Sequence, residues 1–153
     1  MGPPLLQRTM TRCRSLSVVV VNQRREIARL AHLFDEFRES CGLSDDDSAH
    51  IHLMLDELVS NVIKYGYDDA LEHQIHVEVA VEGDLVTLQI EDDGKPFNPF
   101  EAAPHPNLDL PINDRPIGGL GVFIVKTLAE SLGYRRENGR NIVTVKKRMC
   151  PPR

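Results

Sequence analysis

The chain has 153 residues, 41% of them hydrophobic and 27% charged, with a formal net charge of −5. That length suffices for one domain with a real hydrophobic core. The mild negative charge argues against direct nucleic-acid binding, which needs a basic footprint, and no apolar run approaches the roughly 20 residues of a membrane span. Cys13, Cys41 and Cys150 are far apart and carry no CxxC spacing, so they read as free thiols of a reducing, cytoplasmic compartment. The six histidines are scattered without metal-ligand spacing.

The arginine-bearing N-terminus has neither the apolar core nor the cleavage site of a signal peptide. Residues 1–14 are expected as a flexible leader, 15–149 as a single domain and 150–153 as a tail. Leu16 to Val21 is a β-branched run that predicts a first strand. Asn22 then reads as the cap of a helix from Gln23 to about Cys41. Ile27, Leu30, Ala31, Phe34 and Phe37 keep helical spacing there, and Gly42 is the stop.

Ser44-Asp45-Asp46-Asp47 opens a second helix. A serine cap followed by acids suits the positive end of the helix dipole better than it suits a metal site. Ile51, Met54, Leu55, Leu58, Val59, Val62 and Ile63 mark one buried face, and the helix ends at Gly66. Glu57 and Asn61 lie one turn apart at the edge of that face, where a carboxylate and a carboxamide border a half-buried cleft.

Alternation at Ile75, Val77, Val79 and Val81 predicts a strand. Gly83-Asp84 turns it into a second strand, Leu85 to Asp92. Val86, Leu88 and Ile90 share a face, and period two carries Asp92 onto that apolar side. Six prolines between Lys95 and Ile117 predict an irregular, lid-like segment. Gly118-Gly119-Leu120-Gly121 opens a further helix through Val122, Ile124, Val125, Leu128, Ala129 and Leu132, ending at Gly133. Converging backbone N–H groups at such a start suit a phosphate. Two strands joined by Asn138-Gly139 close the chain. This order predicts an α+β, two-layer sandwich: a mixed, mostly antiparallel sheet with three helices on one face.

Glu57-x3-Asn61 on a helix, Asp92-x-Gly94 at a strand end, and Gly119-x-Gly121 opening a helix form a demanding series. In it the chain resembles the GHKL (Bergerat) ATP-binding superfamily. Glu57, Asn61, Lys64 and Tyr65 match its N box, Asp92 and Gly94 its first glycine box, and Gly119 and Gly121 its second. Asp92 to Pro99, Gly118 to Val125 and Gly139 to Val143 are similar to the anti-sigma-factor serine kinases within it.

The resemblance implies ATP and Mg²⁺ as cofactors. It implies Glu57 as general base, Asn61 as Mg²⁺ ligand, Asp92 as acceptor from the adenine amino group, Gly94 as room for the ring, Gly119 and Gly121 as phosphate cradle, and Lys64 as a phosphate contact. It further implies serine phosphorylation of a STAS-type anti-anti-sigma protein, a sigma factor as second partner, and a homodimer. The alternative is a nucleotide-responsive module that sequesters a partner without significant kinase activity. Two departures stand out. Pro96 replaces a usual glycine, and the late threonine of the adenine site has no clear counterpart, Asn141 and Thr144 being the candidates for its place. No helix bearing a phosphoacceptor histidine is present, which separates the chain from autophosphorylating histidine kinases.

Overall fold

A computed structural model describes residues 13–102 and 120–150. Nine elements follow in order: β1 (Cys13–Val21), α1 (Arg25–Cys41), α2 (Asp45–Tyr65), β2 (Gln74–Glu82), β3 (Leu85–Asp92), the one-turn α3 (Pro99–Ala102), α4 (Leu120–Leu128), β4 (Ser131–Glu137) and β5 (Arg140–Arg148). The strands form one sheet in the order β1-β2-β3-β5-β4. Every neighbouring pair is antiparallel, so the mixed sheet expected from sequence is antiparallel throughout. The reason is topological. β2–β3 and β4–β5 are hairpins, and the α1–α2 pair returns the chain beside β1 in the opposite sense.

One face of the sheet is apolar and carries the helices. Val18 and Val20 of β1, Ile75, Val77, Val79 and Val81 of β2, Val86, Leu88 and Ile90 of β3, and Val143 and Val145 of β5 are buried there. Leu30 and Phe34 of α1 and Val125 of α4 join that core, and α2 supplies its predicted stripe of Ile51, Met54, Leu55, Leu58, Val59 and Val62. Burial of this apolar area, at about 25 cal/mol per Å², drives the two layers together.

Local signals set most boundaries. The Ser44 side chain accepts from the Asp47 N–H at 3.1 Å and starts α2. Gly42 takes a left-handed φ of 67° to stop α1. Asn22, however, does not cap α1. The N-cap is Arg24, without a side-chain bond, and Asn22 instead accepts from the His73 N–H at 2.8 Å, tying the end of β1 to the start of β2. Cys13 and Arg14, expected to precede the domain, instead pair with Glu82 and Val81 as part of β1; residues 1–12 lie outside the described residues. The helix α4 stops at Leu128, and Leu132 and Gly133 belong to β4. The Leu128–Leu132 spacing imitates a helix, but the Glu130 N–H bonds the Lys146 carbonyl at 2.7 Å and pairing with β5 takes over. The proline-rich segment includes the short α3, and its residues 103–117 lie outside the described residues.

Candidate active site

The site grows from the register of three strands. Arg136 of β4 lies opposite Asn141 of β5, Asn141 opposite Asp92 of β3, and Asp92 opposite Ile75 of β2. This row crosses the helix-covered face at one end of the sheet, so polar groups enter an otherwise apolar layer. Asp92 and Asn141 are 3% and 2% exposed. The parity that points Val86, Leu88 and Ile90 inward does the same for Asp92.

Asp92 Oδ1 accepts from the Gly94 N–H at 2.9 Å and from Asn141 Nδ2 at 3.0 Å. Among the described residues, no donor reaches Oδ2. Burial raises the Asp92 carboxyl above its ordinary range, against the two hydrogen bonds at Oδ1. The carboxylate opens into a small pocket also lined by Leu58, Asn61, Val62, Ile90, Phe97 and Val143. An apolar slot ending in one unpaired acceptor fits a flat heterocycle bearing an amino group, as adenine does.

Gly94 is required by the protein itself. A Cβ there would stand 2.6 Å from the Gly66 carbonyl oxygen and 2.9 Å from Asp92 Oδ1. The close approach lets the Lys95 N–H bond the Gly66 carbonyl at 2.9 Å, which closes the pocket between α2 and the strand end.

On α2, Asn61 is half-buried and lines this pocket. One turn earlier, half-buried Glu57 faces an open groove between α1 and α2 that it shares with Arg24, Asp56 and Lys64. Among the described residues, the side chains of Glu57, Asn61 and Lys64 make no hydrogen bond. Burial raises the Glu57 carboxyl, Asp56 adds to the effect, and Lys64 opposes it. Gly121, the second residue of α4, packs onto Glu57. A Cβ at Gly121 would overlap Cδ and Oε2 of that carboxylate. Helix α4 thus begins against Glu57, with its N-terminal backbone beside it. Gly119 lies outside the described residues.

The structure therefore unites Asn61 and Asp92 in one pocket, and Glu57, Lys64 and Gly121 along the adjoining edge of α2. Two further side chains contribute. Phe97 lines the pocket and stacks obliquely on Tyr65 with ring centroids 5.6 Å apart. Asn141 reaches Asp92 directly, whereas Thr144 lies on the opposite side of β5. The signal for Asn141 was β parity counted from Val143 and Val145, which separates it from Thr144.

A helix edge bearing a carboxylate and an amide, a buried carboxylate at a strand end, and a glycine-opened helix against them define a nucleotide site of the GHKL type. The histidine kinase-like ATPase domain model matches residues 20–147, and the chain belongs to that family. It is similar to the serine/threonine-protein kinase BtrW of Bordetella bronchiseptica, 26% identical over 117 residues covering 74% of this chain and 82% of that protein. It is also similar to the serine-protein kinase RsbW of Bacillus mycoides, 20% identical over 109 residues covering 69% and 67%. Among solved structures, that of the RsbU and RsbW domains of Rv1364c from Mycobacterium tuberculosis matches with a TM-score of 0.65 at 18% identity. The match covers 91% of this chain, which spans about a third of the Mycobacterium chain. At that identity the likeness shows the fold: an antiparallel sheet with helices on one face.

Proposed function

We propose that the chain is an ATP-dependent protein-serine kinase that acts as an anti-sigma factor and phosphorylates a STAS-type anti-anti-sigma antagonist. The observation that carries the ATP reading is buried Asp92, whose Oδ2 has no donor among the described residues, in the apolar pocket shared with Asn61. Kinship with BtrW and RsbW supports the kinase class.

The residues fit the nucleotide and its metal. Asp92 would accept from the adenine amino group. Among the described residues nothing bonds the Asn61 carboxamide oxygen, which would be a protein ligand of Mg²⁺, an ion that keeps few protein ligands beside phosphates and water. Mg²⁺ would supply charge neutralisation on the phosphates. Lys64 adds a positive charge at the groove, and Gly121 lets the α4 backbone approach.

Glu57 would receive the proton of the serine hydroxyl as the serine oxygen bonds the γ-phosphorus of ATP and the bond from that phosphorus to the departing ADP breaks. Its carboxyl, raised by burial, is a better base near neutral pH than an exposed glutamate. The α1–α2 groove gives an acceptor protein a way to Glu57 separate from the adenine pocket. In a partner-switching system, phosphorylation would release the antagonist and leave the kinase for a sigma factor.

The test is Glu57→Gln incubated with Mg-ATP and candidate STAS proteins, read by mass shift. Nucleotide affinity is expected to stay near wild type while transfer falls about 10²- to 10⁴-fold. Normal regulation in cells by this variant would favour a sequestering module instead.

A further inference from the structure

We propose that Asn141 is a positioning residue for nucleobase recognition: it holds Asp92 with a single oxygen left for the ligand and makes no hydrogen bond to the ligand itself. The inference rests on the adenine reading of that pocket and adds the group that enforces it.

A carboxamide has two N–H donors and one acceptor oxygen. Asn141 Nδ2 donates to Asp92 Oδ1 at 3.0 Å and to the Lys95 carbonyl at 2.9 Å. Both donors are used. Asn141 Oδ1 accepts from the Tyr134 hydroxyl at 2.6 Å, Arg136 Nη1 at 3.0 Å and the Phe97 N–H at 3.3 Å. The oxygen is saturated as well.

The orientation of the amide follows from these partners. Rotated by half a turn, its NH₂ would face an arginine and a backbone N–H, and its oxygen would face a carboxylate and a carbonyl. With every position filled, Asn141 has nothing left for a ligand.

What it does instead is occupy Asp92 Oδ1 together with the Gly94 N–H. The remaining oxygen, Oδ2, without a donor among the described residues, is then an acceptor of fixed direction left for a ligand. An adenine amino group satisfies it, whereas a purine without that group leaves it unpaired. Asn141 also ties the Lys95–Phe97 strap to the β4–β5 hairpin. Arg136 Nη1 reinforces the strap by donating to the Gly94 carbonyl at 3.0 Å. Removing Asn141 frees the Asp92 carboxylate to turn, and leaves its charge with one hydrogen bond fewer against the cost of burial.

The test measures binding of ATP and of purine riboside triphosphate, which lacks the amino group, to the full chain by calorimetry. Wild type is expected to prefer ATP. Asn141→Ala is expected to lose about 10- to 100-fold in ATP affinity, the worth of an oriented bond to a charged group, and about twofold or less for the analogue. Equal losses for the two ligands, or none, overturn the positioning role.

Asn141→Asp keeps the shape and decides the matter if the alanine variant does not fold. Its carboxylate beside Asp92 is expected to make ATP binding pH-dependent, weak at about pH 8 and regained toward about pH 5 as the pair takes up a shared proton. A profile parallel to wild type overturns the proposal. Wild type that binds both ligands equally overturns the adenine reading itself, a result distinct from equal losses in the variant.

Discussion

Asp47 and Asp92 are carboxylates buried to nearly the same degree, 2% and 3% exposed, at opposite ends of the β3–β5 pair. Asp47, in the first turn of α2, has both oxygens engaged. Its Oδ1 lies 3.6 Å from Lys147 Nζ and accepts from the Cys150 N–H at 3.4 Å, and its Oδ2 accepts from Ser44 Oγ at 3.0 Å. Asp92 has two donors on one oxygen and, among the described residues, none on the other. Burial alone would rank the two as equals. Counting partners separates the two: Asp47 closes the fold, while Asp92 keeps one oxygen for the donor of the proposed ligand, since a buried acceptor without a partner costs free energy that a bound donor returns.

The largest effect that would sharpen this contrast is expected at the saturated end. Lys147→Met strips Asp47 of its cation and leaves a buried charge, so unfolding free energy should fall by about 3–5 kcal/mol in chemical denaturation. ATP affinity of the folded fraction should be unchanged. A neutral result would mean that the Asp47 pair does not hold the fold together.

At the open end the expected outcome is reversed. Asp92→Asn keeps an acceptor for Gly94 and Asn141 but turns an amide donor toward the pocket. ATP affinity should fall by about 10- to 100-fold, with stability equal to or above that of wild type.

The same variant has a pH signature. Burial raises the Asp92 carboxyl in the folded state, so the native protein binds more protons than the unfolded chain just above the ordinary carboxylate value. Wild-type stability therefore falls as pH rises from about 4 toward the raised value. Asp92→Asn lacks this loss, and its Tm advantage without nucleotide should widen over that range. A constant gap would show that the carboxyl is not raised.

Smallest is Ser44→Ala, which removes the α2 cap and one partner of Asp47. About 1 kcal/mol of stability is expected to be lost, with phosphoryl transfer unaffected. Loss of transfer would show that the two ends of α2 are coupled.

Much of the fold was legible in local chemistry. Alternation at Ile75–Val81 and Val86–Asp92, the Ser44 cap and the stops at Gly42 and Gly66 act within a few residues, so the chain itself displays them. The α4 boundary was not legible, because Leu132 is four residues from Leu128 and only pairing with β5 tells strand from helix. Asn22 failed as a cap for a similar reason. A long-range bond to His73 outcompetes the local one.

The candidate site divides along the same line. Glu57, Asn61, Asp92 and the spacing of the glycines follow from helix and strand periods, which any reader of the sequence can count. That Gly121 has to be small because Glu57 lies against it, that Gly94 is pressed onto Gly66, and that Asn141 rather than Thr144 meets Asp92 were decided by packing and by the register of β3, β5 and β4. By itself the sequence determined which face of its helix or strand each of Glu57, Asn61 and Asp92 takes. Only the tertiary structure decided which of their hydrogen-bonding positions are filled and which stay open, since that depends on partners dozens of residues away, and it is on the open positions that the proposed ligand rests.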